Sequence, residues 1–500
     1  MKPIYQATKT RSNRPGWSVI FRHPKRSDSR GRPGLKVRKG LGTQNEAEAE
    51  QLVNELNLLL SDQRWWSNDR RREAEQQFKN VVVSAFFDGL EAGKISSSAI
   101  REGKIPLPTQ EDGYSRIMLT GTTGAGKTTV LRHLIGSDHE NDRFPSTSTA
   151  RTTTAEIEIV TAEGDYEAVV TFMPEHEVRA HIEECIEEAC LSAIQQKPEE
   201  KIVSSLLSHR EQRFRLSYIL GQWEENDPGD EDEFSFDDHS TEESINESET
   251  VSRKEAEKNR EQLVHYLKSI NELTIVAGTR VDEELGALED QKTPDDKATW
   301  LEIFSETLYE EDEFGRLALD LMEEVEDRFD FVSKGKFKKG PTGWPSSWDY
   351  ACNSREEFLE QIRWFSSNHY KQFGKLLTPL VDGLRVRGPF FPRLAPLLVA
   401  PKLVLLDGEG IGHTAKSASS ISTRVTRKFS EVDMILVVDN AEQPMQSAPL
   451  ELLRSIGNSG HADKLAVTFT HFDQVKGGVI FSDVFQAAIF SQKLLQRQFA

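Results

Sequence analysis

Cysteine is scarce in this chain, with three residues among 500. That is too few for a disulfide framework, which excludes the small disulfide-stapled secreted folds and fits a reducing cytoplasm. Long apolar runs are missing too. The most hydrophobic stretch, Leu394 to Leu406, is broken by Pro396, Pro401 and Lys402, so no membrane-spanning segment is expected. The opening Met1-Lys2-Pro3-Ile4 carries no apolar core of a secretory signal. No internal period recurs, which excludes a solenoid or propeller. Cys185, Cys190 and His181 share one helical pattern, but a fourth ligand and short cysteine spacings are missing. A partly buried helix is expected there rather than a metal site.

Charge of one sign is locally missing as well. The net charge is −20, yet the first forty residues hold twelve Lys or Arg against a single acid, Asp28. Residues 224–250 are the reverse, with about a dozen acids, no Lys or Arg, and few apolar side chains. Such a segment cannot bury enough surface to offset its ordering entropy and is expected to be disordered. Masking of the basic N-terminus is one role that charge complementarity allows it.

What the chain does have is Ile117-Met118-Leu119-Thr120 followed by Gly121-Thr122-Thr123-Gly124-Ala125-Gly126-Lys127-Thr128-Thr129. An apolar strand, a glycine-rich loop and a helix opening at Lys127 match G-x-x-x-x-G-K-[ST] at every fixed position. Glycines 121, 124 and 126 let the backbone turn its N–H groups inward as a nest for anionic oxygens. The helix N-terminus adds unpaired donors and partial positive charge. Lys127 would reach the β- and γ-phosphates, and the Thr128 hydroxyl would join the shell of a Mg²⁺ ion. The expectation is a P-loop nucleotide-binding protein.

Four regions surround this stretch. Residues 1–62 read as a basic strand–strand–helix module. Its strands are Trp17–Phe21 and Leu35–Arg38, joined by a loop from Pro24 to Gly34, and a capping box at Thr43–Glu46 opens its helix. Residues 63–113 read as a helical connector. The nucleotide domain covers 114–173 and 402–500, and includes strands 155–160 and 166–172 around a turn at Gly164-Asp165. Residues 174–401 read as a mainly helical insertion. The expected fold is therefore α/β: a doubly wound, mainly parallel P-loop sheet with a large helical insertion and a small N-terminal β-β-α module.

A second decisive stretch is Lys402-Leu403-Val404-Leu405-Leu406-Asp407. An apolar run ending in Asp reads as a buried parallel strand offering a carboxylate at its C-terminal edge, placed to hold Mg²⁺. Asp407-Gly408-Glu409-Gly410 continues as D-x-x-G, in which the Gly410 amide would contact a γ-phosphate. Apolar strands at Val432–Asp439 and Leu465–Thr470 come next, the latter running into Thr470-His471-Phe472-Asp473.

Here the chain resembles the GTPase superclass of P-loop proteins, with its Ras-like, dynamin-like and septin-like members, over residues 115–172 and 402–490. The resemblance implies a [NT]-K-x-D loop in which Asp473 would accept two hydrogen bonds from guanine, with Thr470 at the first position. His471 departs from the usual Lys. It also implies that the polar loop 143–154 supplies Thr154 to Mg²⁺. Arg151, three residues earlier, stands at the spacing of an arginine finger in cis. Ile411 replaces the glutamine that orients water in Ras-like members, leaving Glu409 and His413 as candidates for that task. The N-terminus resembles the arm-type DNA-binding module of phage integrases, through Leu41-Gly42-Thr43 and Glu46-Ala47-Glu48-Ala49, which implies duplex DNA as a partner of residues 1–62.

The expected activity is Mg²⁺-dependent binding and hydrolysis of GTP. Coupling to DNA through the N-terminal module and nucleotide-dependent self-association are further expectations, and no membrane partner is expected. An ATPase, with Glu409 polarising the water, is the alternative. So is a nucleotide-binding scaffold with little hydrolysis, or a small-molecule kinase. Beyond Asp473 no convincing strand covers the edge beside Leu465–Thr470, and the helical pattern 481–499 stops without a cap. A longer polypeptide, or a second chain completing the domain, is expected.

Overall fold

A computed structural model of the protein describes the chain except for residues 1–4, 12–15, 28–32, 68–69, 88–89, 91–96, 123, 138–143, 146–155, 210–213, 224–249, 341–342, 393–399, 408–427 and 476–500. The expected disordered segment 224–250 and the helical pattern 481–499 thus lie almost wholly outside the described residues.

The N-terminal module opens with β1 (Thr8–Thr10), β2 (Ser18–Ser27) and β3 (Pro33–Gly40), an antiparallel sheet in that order. Helix α1 (Glu46–Ser61) backs it. The expected strand pair is thus a three-stranded sheet, and β2 and β3 run into the segment expected as a loop. Residues Val19, Phe21, Leu35 and Val37 point to one face and meet Leu52, Leu56 and Leu59 of α1. Alternation of period two on the strands and 3.6 on the helix brings these side chains together. The cap falls on Asn45, whose side chain accepts from the backbone N–H groups of Ala47 and Glu48. Thr43 instead donates its hydroxyl to Glu48.

Residues 63–113 are not one connector. After the single turn α2 (Arg71–Ala74), α3 (Asn80–Phe87) buries Val82, Val83, Phe86 and Phe87 in the core of the N-terminal module. Helix α4 (Ser97–Lys104) packs on the main sheet instead. His23, inside the module, accepts at Nδ1 from the Lys25 and Arg26 amides, and its Nε2 lies 2.9 Å from the Phe86 carbonyl. Burial pushes its pKa down to about 4.

The main body comes next in chain order. Strand β4 (Ser115–Gly121) leads through the glycine-rich loop to α5 (Lys127–Leu134). Then come β5 (Glu156–Thr161) and β6 (Tyr166–Phe172). A helical run comprises α6 (Glu175–Ile194), α7 (Glu199–Leu207), α8 (Ser217–Leu220), α9 (Arg253–Leu285), α10 (Pro294–Glu310) and α11 (Asp312–Arg328). Strands β7 (Lys336–Lys339) and β8 (Pro345–Cys352), helix α12 (Arg355–Ser366) and strand β9 (Val381–Gly388) succeed it. The last described elements are β10 (Leu403–Asp407), β11 (Met434–Asn440), α13 (Ser447–Asn458) and β12 (Leu465–Thr470).

Capping chemistry explains several of these boundaries. Ser252 and Glu255 form a reciprocal box at the start of α9, and Thr293 and Asp296 do so for α10, with Pro294 at its first position. Glu311, with an extended backbone, separates α10 from α11.

Among the described residues the main sheet has nine strands, in the order β12-β11-β4-β10-β5-β9-β6-β8-β7. From β12 to β10 every ladder is parallel, as expected for the half that carries the loop. Beyond β10 the sheet is mixed, with only β5 and β9 parallel. Two features go beyond the expected layout. The insertion 174–401 is not only helical, because it contributes three strands to this sheet. One of them, β9, lies between β5 and β6, so the strands flanking Gly164-Asp165 do not pair with each other. Arg385 inside β9 hides its strand character in the sequence. Gly383 is there because a Cβ would lie 2.1 Å from an Arg101 guanidinium nitrogen.

Both faces of the sheet are covered. Leu119 and Leu405 face α5 and the helical body. Met118, Val404 and Leu406, of opposite parity, face Leu452, Leu453 and Ile456 of α13. Among the described residues β12 is the outer strand on that side. No helix among the described residues is long and apolar enough to cross a membrane.

Candidate functional site

Strand β4 delivers the chain to the C-terminal edge of the parallel half-sheet, where α/β sheets gather ligands. Three glycines shape the loop beyond it, for different reasons. At Gly121 a Cβ would lie 2.1 Å from the Val438 carbonyl oxygen of the neighbouring strand, so no side chain fits. Gly126 has φ 80° and would press a Cβ to 3.1 Å from the Thr470 side chain. Gly124, at φ 76°, faces open space and is needed only for its left-handed backbone. Of the other loop residues, Ala125 is buried, Thr122 and Thr128 are half-buried and Thr129 is exposed. Thr123 lies outside the described residues.

Lys127 opens α5 and is buried. Its ammonium donates to the carbonyls of Gly121, at 3.1 Å, and Thr122, at 2.8 Å, so it spans the mouth of the loop. Burial pushes its pKa below the ordinary lysine value, and the charge of Asp407 offsets part of that.

Asp407 ends β10, the parallel neighbour of β4, paired in register with Leu119. Its parity matches that of Leu405, so it belongs to the face that carries α5. It is 1% exposed, and neither carboxylate oxygen has a hydrogen-bond partner among the described residues. Burial pushes its pKa up to about 6, with Lys127 pulling it back in part. A buried carboxylate without a partner costs several kcal/mol if it is ionised. One that persists beside an anion-shaped loop has the chemistry of a cation ligand. Thr128, one residue beyond Lys127, stands in the same first turn of α5.

The loop is braced from the far side. The Thr470 hydroxyl lies 2.7 Å from the Ala125 carbonyl and 3.2 Å from that of Asp439. His471 adopts a left-handed backbone (φ 56°), and its Nε2 lies 3.2 Å from the Gly124 carbonyl. These two residues, expected near the base, therefore touch the glycine-rich loop itself. Asp473 lies just beyond, in a short 3-10 turn, Phe472–Gln474. Asp439 is buried and accepts from the Met445 amide at 2.6 Å, closing the turn that leads to α13.

The fold thus brings Gly121, Thr122, residues 124–129, Asp407 and Thr470-His471 to one sheet edge. Glu409, Gly410, Ile411 and His413, with the loop residues Arg151 and Thr154, lie outside the described residues. Sequence reasoning missed the contacts of Val438, Thr470 and His471 with the loop. No local pattern signals them, because they depend on which strands become neighbours. The cysteines of α6 are buried, and the Cys190 thiol is pushed up to about 12 by burial. That fits the helix-core reading rather than thiolate ligation.

The chain matches no protein-family model and no curated protein sequence.

Proposed function

We propose that the protein is a P-loop nucleoside triphosphatase, with GTP the favoured substrate and ATP the alternative. The single observation that carries this reading is the buried Asp407 carboxylate, unpartnered among the described residues, beside a glycine-rich loop whose first helical residue is Lys127. A structural carboxylate would be paired, and a structural turn would have no need of a lysine folded across it.

The residues fit a magnesium ion by their donor chemistry, two hard oxygens from Asp407 and Thr128. When bound, such an ion neutralises phosphate charge. Lys127 would exchange the Gly121 and Thr122 carbonyls for phosphate oxygens, a better partner for a cation. The loop amides and the N-terminus of α5 would orient the triphosphate. Thr470 and His471 hold the loop backbone so that this nest is formed before the substrate arrives, which is how a site stabilises developing charge without reorganising. Preference for guanine rests on Asp473, and in-line attack by water on groups beyond Asp407.

The DNA-binding reading of residues 1–62 gains nothing from three of its basic side chains. Arg22 and Lys36 pair with Asp312, and Arg38 pairs with Asp320 and Glu323, all on α11.

The test is multiple-turnover phosphate release from GTP and ATP by the full chain, with no acceptor added. Lys127→Ala should lower it by about a hundredfold or more with the fold retained. Unchanged turnover in Lys127→Ala would refute the site, and faster turnover of ATP than of GTP would favour the alternative. Binding without release would leave a scaffold.

A further inference from the structure

Far from the glycine-rich loop, the helical body gathers a second set of donor atoms. His181 and Glu184 lie one turn apart on α6, so their side chains share one face of that helix. His209 comes from the segment after α7. The Ser208–Arg215 bridge and the His209 amide, which donates to the Phe214 carbonyl at 2.9 Å, fold that segment back on itself. One ligand atom from each of the three residues falls within 4.8 Å of the other two. His209 is buried and its Nε2 is hydrogen-bonded to Glu184. Its ring meets that of His181 edge-on with centroids 4.8 Å apart, and Phe214 stacks on His181 at 5.3 Å. Glu184 stays half in solvent, with its side chain 50% exposed.

We propose that His181, Glu184 and His209 bind a divalent transition-metal ion of the zinc type, with solvent in the fourth position. Two imidazoles and one carboxylate are a donor set that suits this class and disfavours magnesium or calcium, which take oxygen. Ligands about 2.0–2.1 Å from a tetrahedral ion stand a little over 3 Å apart. The observed spacing closes to that by rotation of the exposed Glu184 and a small movement of His181. The ring contacts keep the two imidazoles side by side before any ion arrives. Binding would tie the segment after α7 to α6, the central helix of the body. Cys185, adjacent in sequence, takes no part, because burial raises its pKa and keeps it a thiol.

The experiment uses the full chain without an affinity tag, stripped with chelator and titrated with Co²⁺. The expected result is one equivalent bound, with the intense visible bands of a four-coordinate cobalt ion, displaced by Zn²⁺, and a rise of several degrees in Tm. Glu184→Gln, at an exposed position, should keep the fold and weaken cobalt binding at least tenfold. A His181→Asn/His209→Asn double variant should lose the bands. Asp407→Asn should keep them, which separates this site from the strand-end carboxylate. No visible bands in the wild type, or the same bands and affinity in Glu184→Gln and in a folded double variant, would overturn the proposal.

Discussion

Glu158 on β5 and Asp407 on β10 are carboxylates on neighbouring strands of one sheet, one residue out of register with each other. Both are buried, at 5% and 1% exposure. Glu158 faces α4 and is saturated. It accepts from Arg101 Nε at 2.9 Å, from Arg385 Nε at 2.7 Å and from Arg385 Nη2 at 3.2 Å. Around it, Arg385 reaches Glu102, and Glu156 is paired with both Arg101 and Lys428. Asp407 faces α5, with one lysine near enough to be felt and no hydrogen bond among the described residues. The same low-dielectric sheet thus holds one acid that is fully compensated and one that is not. Compensation locks α4 and β9 to β5. Its absence leaves a charge ready for a ligand and lowers the stability of the ligand-free protein.

Removing the charge should therefore have opposite effects at the two positions. Glu158→Gln takes from two buried guanidinium groups the carboxylate they share, leaving Arg101 with Glu156 and Arg385 with Glu102, and should destabilise the protein by about 3 kcal/mol, seen as a large loss of Tm in thermal unfolding. Turnover per folded molecule should hardly change. If stability is kept, the network is not what joins α4 and β9 to the sheet.

Asp407→Asn should do the reverse. With a pKa near 6 in the folded chain against an ordinary value near 3.8, the ionised side chain costs about 3 kcal/mol at neutral pH. The buried amide takes back part of that gain, leaving about 1–2 kcal/mol of added stability for the metal-free, nucleotide-free protein. Triphosphate turnover should fall steeply in the same variant. A variant that is both less stable and fully active would remove the contrast.

The sign of the pH dependence sharpens it further. Because the folded pKa of Asp407 is raised, its contribution is fully present below pH 4 and is lost as pH rises through 6. The stability advantage of Asp407→Asn over wild type should be complete above pH 6 and turn into a deficit of about 1–2 kcal/mol below pH 4, where the amide's cost remains and the carboxyl is neutral in both states, measured by denaturant unfolding across that window. A gap that widens towards acid would show that Asp407 is already compensated.

The smallest effect is at the brace. Thr470→Val removes the hydroxyl contact with the Ala125 carbonyl at 2.7 Å and should cost about 1 kcal/mol. Nucleotide affinity should fall more than global stability. An unchanged affinity would mean that the loop keeps its shape without Thr470.

Much of this was legible locally. The strand, loop and helix from Ser115 to Leu134 arise from an apolar run, three glycines and a helix opening at Lys127. The strand ending at Asp407 is set by five apolar or acidic residues in order. Alternation and helical spacing likewise mark β2, β3 and α1. What stayed hidden is what depends on neighbours distant in sequence. Arg385 makes β9 look too polar for a central strand, and only the distant Arg101 and Glu158 make it one. The module's boundary near residue 62 looks sensible until Phe86 and Phe87 are found in its core.

The sequence by itself determined where the glycine-rich loop lies and which side chains stand on it, because a backbone turn and a helix start are set by residues within a few positions. The tertiary structure alone decided that Asp407 would be buried without a partner among the described residues while Glu158 found two. It also decided that Thr470 would press against Gly126 and that His209 would meet His181. Burial and pairing are properties of the sheet order, and strand order arises from packing across more than two hundred residues of intervening chain, which no local pattern of side chains encodes.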